Sequence, residues 1–268
     1  MEHLGGVVEE RLEVAIEAVR AAGQIALDYF TGSFHVERKA DLSPVTEADL
    51  KAEETIVSML RSAFPAFGFL GEEYGAQGPQ EGTRWIVDPI DGTRNFVRGI
   101  PYWATLLALE EGGEVTLGVI HAPATGELFY ARKGRGAFAD GKRLRVSDVD
   151  RLDRAFLVHG SLNLLHQTEH WDGFIGLVDA TERQRGYGDY HAYTFVARGQ
   201  AELCVEVDVK PWDLAAIKIL TEEAGGRFTD LEGKPTIYSG NALVSNGRVH
   251  DRALALLRAA RRRNRSDA

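Results

Sequence analysis

Asp88 and Asp91 stand three positions apart in Trp85-Ile86-Val87-Asp88-Pro89-Ile90-Asp91-Gly92-Thr93, directly after a short apolar run. That run predicts a buried strand, Pro89 a break in it, and Asp91-Gly92 a turn. Two carboxylates are thereby expected together at a strand end, where they repel by about 1 kcal/mol in water and several-fold more in a partly buried site. Such a pair either raises one pKa or takes up a cation. A hard divalent ion such as Mg2+ binds oxygen ligands and keeps positions for water and phosphate. Thr93 to Phe96 can open a helix, and the free N–H groups of Gly92 and Thr93 would face the same place and suit an anion. The chemistry suggested is a divalent cation shared with a phosphate. An Asx-type turn with both acids in solvent is the alternative, since Asp, Gly and Pro are common turn residues.

More carboxylates fall at element ends. Glu72 and Glu73 follow the strand predicted at Phe67 to Leu70, and Glu206 closes the one at Ala201 to Val207. Asp213 sits in the first turn of a helix predicted over Trp212 to Ala224, where a helix-dipole acid is the other explanation. His166 and His170 have the spacing of a zinc pair on one helical face, yet no third ligand is near, so surface or core histidines are expected.

The elements that must position these residues start with a long amphipathic helix, Val7 to Phe30. A polar loop or irregular hairpin follows from Thr31 to Pro44. Thr46-Glu47-Ala48-Asp49 has the capping-box spacing, so a second helix begins there and Asp49 has a structural role as its cap. Gly75 to Gly82 reads as a surface loop. Ala104 to Leu109, Val115 to His121 and Glu127 to Ala131 read as an antiparallel meander. Beyond Ser147, strands (Ala155 to His159, Ala201 to Val207, Ala242 to Val244) alternate with helices (Thr168 to Val178, Tyr190 to Ala197, Trp212 to Ala224, Val249 to Ala260), which implies layered α/β packing. The expected organisation is one unit with an N-terminal half (1–146), a C-terminal half (147–262) and a basic tail (263–268), the halves docked along one groove.

Composition narrows the function class. The net charge of -9 over 268 residues argues against a nucleic-acid surface. The single cysteine, Cys204, excludes an intrachain disulfide and a cysteine-based zinc site. No apolar run reaches the roughly 20 residues of a membrane span, and the acidic N-terminus is unlike a signal peptide. A cytoplasmic protein without nucleic-acid or membrane partners is expected. No Walker loop, dinucleotide fingerprint or Gly-x-Ser-x-Gly elbow occurs.

Gly71-Glu72-Glu73, Asp88-Pro89-Ile90-Asp91-Gly92-Thr93 and Trp212-Asp213 with Ala224-Gly225-Gly226 downstream together resemble the signatures of the inositol monophosphatase family of Mg2+-dependent phosphatases. The resemblance runs from the first helix to about Arg252. It implies an αβαβα layered sandwich of the inositol monophosphatase and fructose-1,6-bisphosphatase type, usually a homodimer, that hydrolyses phosphate monoesters by direct attack of a metal-activated water. By position, Glu72, Asp88 and the Ile90 carbonyl would hold a first Mg2+, and Asp88, Asp91 and Asp213 a second. A weaker third would touch Glu72, and Mn2+ is a possible substitute. Thr93 and Asp49 would orient the water, Gly92 and Thr93 would grip the phosphate, and Lys39 and Asp41 match a segment that closes over the site.

Four stretches narrow the resemblance to the histidinol-phosphate phosphatase branch: Arg94 to Thr105, Gly186 to Tyr193, Val209 to Asp213 and Ser43 to Asp49. That branch implies Asp189 and Glu206 near the amino alcohol. Trp212-Asp213-Leu214-Ala215 is closer to the general family, so an inositol-phosphate or broad sugar-phosphate or nucleotide phosphatase stands as the alternative, a non-catalytic binding protein that keeps the fold comes after it, and a helix cap is the alternative for Asp189.

Overall fold

A computed structural model describes residues 2–32, 36–38, 44–79 and 81–266. The chain opens with α1 (Glu2–Thr31), whose Leu12, Ala15, Val19, Ala22 and Ala26 form the buried stripe. A short antiparallel hairpin, β1 (Val36–Arg38) and β2 (Pro44–Thr46), leads into α2 (Glu47–Ala63). Thr46 caps α2 as its sequence predicts: the backbone N–H and the hydroxyl both donate to Asp49 Oδ2, at 2.7 and 2.6 Å.

Next come β3 (Gly68–Gly71), β4 (Gly75–Gln77), β5 (Thr83–Asp91) and the short α3 (Thr93–Val97). The meander follows as β6 (Ala104–Glu111), β7 (Glu114–Ala122), β8 (Glu127–Arg132), β9 (Gly136–Ala139) and β10 (Lys142–Arg143). The rest of the chain runs β11 (Phe156–His159), α4 (Leu162–His166), α5 (Trp171–Ala180), β12 (Arg183–Gly186) and α6 (Asp189–Ala197). It ends with β13 (Leu203–Val207), α7 (Pro211–Glu223), β14 (Arg227–Thr229), β15 (Asn241–Ser245) and α8 (His250–Ser266).

The strands form an eight-stranded sheet, β10-β9-β8-β7-β6-β5-β3-β4, and a five-stranded one, β12-β11-β13-β15-β14. Alternation along each strand sorts side chains into layers. Trp85, Val87, Leu107 and Val119 pack with Leu12, Val19, Ile56 and Leu60 of α1 and α2. On the opposite face, Ile86, Leu106, Ala108 and Ile120 meet Tyr193, Leu214 and Ile217 of α6 and α7, together with Val158, Cys204 and Val244 of the second sheet. Leu157, Leu203, Val205 and Leu243 then face Phe174 and Leu177 of α5, Leu257 of α8 and Val249 just before it. The result is the αβαβα sandwich.

β5 departs from the sequence reading. It does not stop at Pro89 but runs on to Asp91, because the proline is accommodated in a bulge. Asp88 pairs with Leu106 and Asp91 with Ala104, so Pro89 and Ile90 oppose the single residue Thr105, whose hydroxyl donates to the Pro89 carbonyl at 2.9 Å. In an unbroken strand, residues three apart point to opposite faces. The extra residue resets the alternation and returns Asp91 to the side of Asp88.

Several short strands escape the sequence pattern, among them β9 and β10, which extend the meander beyond Ala131. β4 lies where a loop is expected, and β12 reads Arg-Gln-Arg-Gly, a polar edge with no apolar signal. β14 has only three residues. His166 ends α4 whereas His170 precedes α5, so they share no helical face. Among the described residues no helix is long and apolar enough to cross a membrane.

Gly118 is where β7 admits α7. A Cβ there would lie 2.5 Å from Ile219 Cγ2 and 3.0 Å from Ala216 Cα. Gly118→Ala is therefore expected to destabilise by about 1–3 kcal/mol, the range for overpacking a filled core, read as a lower midpoint in urea unfolding.

Candidate active site

β3 and β5 are parallel neighbours with Gly71 opposite Val87. The register makes Glu72 the next residue out beside Asp88, and its N–H donates to the Val87 carbonyl at 3.2 Å. Across from them, α7 starts at Pro211, a residue suited to a first helical position. Asp213 is held in its first turn by the Lys210 N–H, which donates to Oδ2 at 2.7 Å. Asp88, Asp91 and Asp213 each present a carboxylate oxygen, all within 4.8 Å of one another. Asp88 is 1% exposed and Asp91 7%. Glu72 stands outside this tight trio but close enough for its charge to act on Asp88.

The electrostatics are those of an unneutralised cluster. Burial, then the charges of Glu72 and Asp91, hold the Asp88 carboxyl well above the usual carboxylate range. Burial, then Asp189 and Asp213, do the same to Asp91, although the Tyr190 N–H donates to its Oδ2 at 2.5 Å. Burial pushes Asp213 up to about 7 against the opposing Lys210 N–H bond, with Glu72 adding to the rise. Asp88 Oδ1 is buried with no hydrogen-bond partner among the described residues. An oxygen-only set with mutual repulsion and an orphaned lone pair fits a hard divalent cation, which would neutralise the charge and engage that oxygen.

Thr93 connects the cluster to α2. Its hydroxyl lies 2.9 Å from the Ile90 carbonyl and 3.4 Å from Asp49 Oδ1, with one proton to share between them. Asp49 is fully buried and does two things at once, Oδ2 capping α2 and Oδ1 facing Thr93. Gly92 caps α3 with φ 86°, a left-handed conformation that glycine adopts without penalty.

Asp189 and Glu206 form a second acidic pair next to the first. Asp189 is the first residue of α6 rather than its cap, which is Gly188. Its Oδ2 accepts from Asn95 Nδ2 at 2.9 Å, and the same amide nitrogen donates to the Tyr102 carbonyl at 2.9 Å. Glu206 Oε1 accepts from the Asp189 N–H at 3.4 Å, while its Oε2 is buried without a partner among the described residues. Burial pushes Asp189 up to about 6, opposed by the charge of Arg94 and the Asn95 bond. Burial and then the charge of Asp189 push Glu206 up to about 8. Beside this pair the half-exposed Tyr102 stacks on His191, with centroids 4.3 Å apart.

The structure thus brings Asp49, Glu72, Asp88, Ile90, Asp91, Gly92, Thr93, Asp189, Glu206 and Asp213 to one region. Lys39 and Asp41 lie outside the described residues. Asn95 and the Tyr190 backbone are not singled out by the sequence, and they are what stitches the region together, across separations of 94 and 99 residues. No local pattern announces such bonds. Surface cavities of 470 and 450 Å³ lie elsewhere, beside α2 and α4, and contain none of these acids.

Residues 7–264 match the model of the inositol monophosphatase family. The chain is 43% identical over 256 residues to a histidinol-phosphatase of Streptomyces coelicolor, covering 92% of this chain and 96% of that protein. It is 45% identical over 229 residues to a histidinol-phosphatase of Mycobacterium tuberculosis, covering 84% and 88%. A solved inositol monophosphatase from Anabaena superposes with a TM-score of 0.83 at 31% identity, covering 93% and 96%.

Proposed function

Because the chain belongs to the inositol monophosphatase family, we propose that it is a Mg2+-dependent phosphate-monoester hydrolase whose substrate is L-histidinol phosphate, released as L-histidinol and phosphate in histidine biosynthesis. The observation that carries the reading is the adjacency of two acidic groups, the repelling trio of Asp88, Asp91 and Asp213 and the separate pair of Asp189 and Glu206. In this reading Glu72, Asp88 and the Ile90 carbonyl hold one Mg2+, Asp88, Asp91 and Asp213 a second, and Glu72 touches a third. Mn2+ is the natural substitute, and a homodimer in a cytoplasmic setting goes with it.

Bound Mg2+ supplies positive charge that acidifies water, screens the phosphate oxygens and steadies the departing alkoxide. The chain supplies position. The Thr93 hydroxyl, set between the Ile90 carbonyl and Asp49, accepts and orients the attacking water in line with the leaving oxygen. The N–H groups of Gly92 and Thr93 receive phosphate oxygens, where negative charge concentrates as the bond breaks.

The leaving group explains the second pair. L-histidinol phosphate carries an ammonium and an imidazole that is partly protonated near neutral pH. Carboxylates at Asp189 and Glu206 favour that cation over an uncharged polyol. Asp189→Asn is accordingly expected to raise KM for histidinol phosphate about 10- to 100-fold, the size of one charge-assisted hydrogen bond, and to leave inositol 1-phosphate nearly unchanged. The test is phosphate release from the two substrates side by side. A kcat/KM for wild type that ranks inositol 1-phosphate first means the substrate assignment is wrong. The bond from Asn95 to Asp189 favours that second reading, an inositol-phosphate or broad sugar-phosphate phosphatase, because it gives Asp189 a structural task without any ligand.

A further inference from the structure

Glu53 has no place in the reading above, yet it is fully buried on α2, one helical turn beyond Asp49. Its carboxylate accepts the Glu73 N–H at 2.8 Å through Oε2 and the Tyr74 N–H at 3.1 Å through Oε1. These are the two residues that follow Glu72. On the other side of Glu72, a Cβ at Gly71 would fall 1.9 Å from Glu53 Oε1. The carboxylate therefore fills the space that the missing side chain of Gly71 leaves, and it grips the turn from both sides of Glu72. A charged acceptor taking two backbone N–H groups makes short, strong bonds.

We propose that Glu53 is the positioning residue for Glu72, so that one face of α2 sets two parts of the site, Thr93 through Asp49 and the Glu72 turn through Glu53. This rests on Glu72 being a cation ligand. Glutamate suits this place because the Glu73 and Tyr74 groups it receives are both N–H donors. A glutamine offers one acceptor oxygen and turns its NH2 toward the other N–H, so one bond is lost with the shape kept.

The test is Mn2+ binding to the whole chain without substrate, followed by calorimetry and by the electron paramagnetic resonance of the free ion. Glu53→Gln is expected to weaken binding about ten-fold, the low end for groups that orient metal ligands. Because Glu53 acts through Glu72, Glu53→Gln/Glu72→Gln should bind Mn2+ no more weakly than Glu72→Gln alone. Additive losses in that cycle, or a Glu53→Gln protein that binds as wild type does, would overturn the proposal. Gly71→Ala, which pushes on the same carboxylate from the other side, provides a second route should Glu53→Gln fail to fold, with the same expected loss; wild-type affinity in it counts against the proposal. A wild-type chain that binds no Mn2+ overturns the cation reading itself, and this inference with it.

Discussion

Asp91→Asn is expected to lower kcat/KM for histidinol phosphate by about 1,000-fold or more while the protein stays folded by circular dichroism. The scale follows from what is lost when one preorganised electrostatic contact to a transition state is removed, and Asp91 is a full charge rather than a single dipole. The fold should survive because asparagine keeps an oxygen that can accept the Tyr190 N–H now bonded to Asp91 Oδ2. Removing one charge from a cluster in which burial and neighbouring carboxylates already oppose ionisation should leave the chelated protein at least as stable as wild type. Loss of turnover with an equal or higher melting temperature in EDTA would separate a chemical role from a structural one. Unchanged phosphate release would take Asp91 out of the mechanism.

The second large effect is a pH dependence that Mg2+ cancels. Asp213 is raised from 3.8 to about 7, Asp189 from 3.8 to about 6 and Glu206 from 4.5 to about 8. In each case the folded chain holds its proton at a pH where the unfolded chain has lost it. The stability these groups contribute is complete below about pH 4 and disappears as pH rises toward 8, because stability falls with pH wherever the native state binds more protons. A cation held by Asp213 reverses the balance at that group by binding its ionised form, and its affinity grows over the same window. Scanning calorimetry in EDTA should give a melting temperature that falls between pH 5 and pH 8. Saturating Mg2+ should raise it most at pH 8 and least at pH 5. Equal Mg2+ effects at both ends would mean that Asp213 does not meet the ion.

What the sequence made legible follows from where the signal lies. The stripe of α1, the capping box before α2 and the apolar meander are local patterns, and all recur in the fold. The carboxylates at strand and helix ends could be nominated because charged residues beside apolar runs are conspicuous. The bulge at Pro89 and Ile90 could not, since it is defined by a partner strand 16 residues on. Glu53 reads as one more acid on an amphipathic helix, and its task appears only once β3 is laid against it. The same holds for Asn95, whose bond to Asp189 joins residues 94 positions apart. Short polar edges such as β12 owe their existence to a neighbour's open backbone rather than to their own composition.

The middle layer of helices has one more consequence. Asp88 and Asp91 are synthesised more than a hundred residues before Asp213, and α7, which carries Asp213, is gripped by both sheets. A nascent chain leaving the ribosome thus bears half of an acidic nest long before the other half exists, and bringing them together means closing a very long loop. If these acids hold the proposed cation, its lasting capture must wait for the late appearance of α7, which would place metallation in the final consolidation of the polypeptide rather than in its earliest collapse.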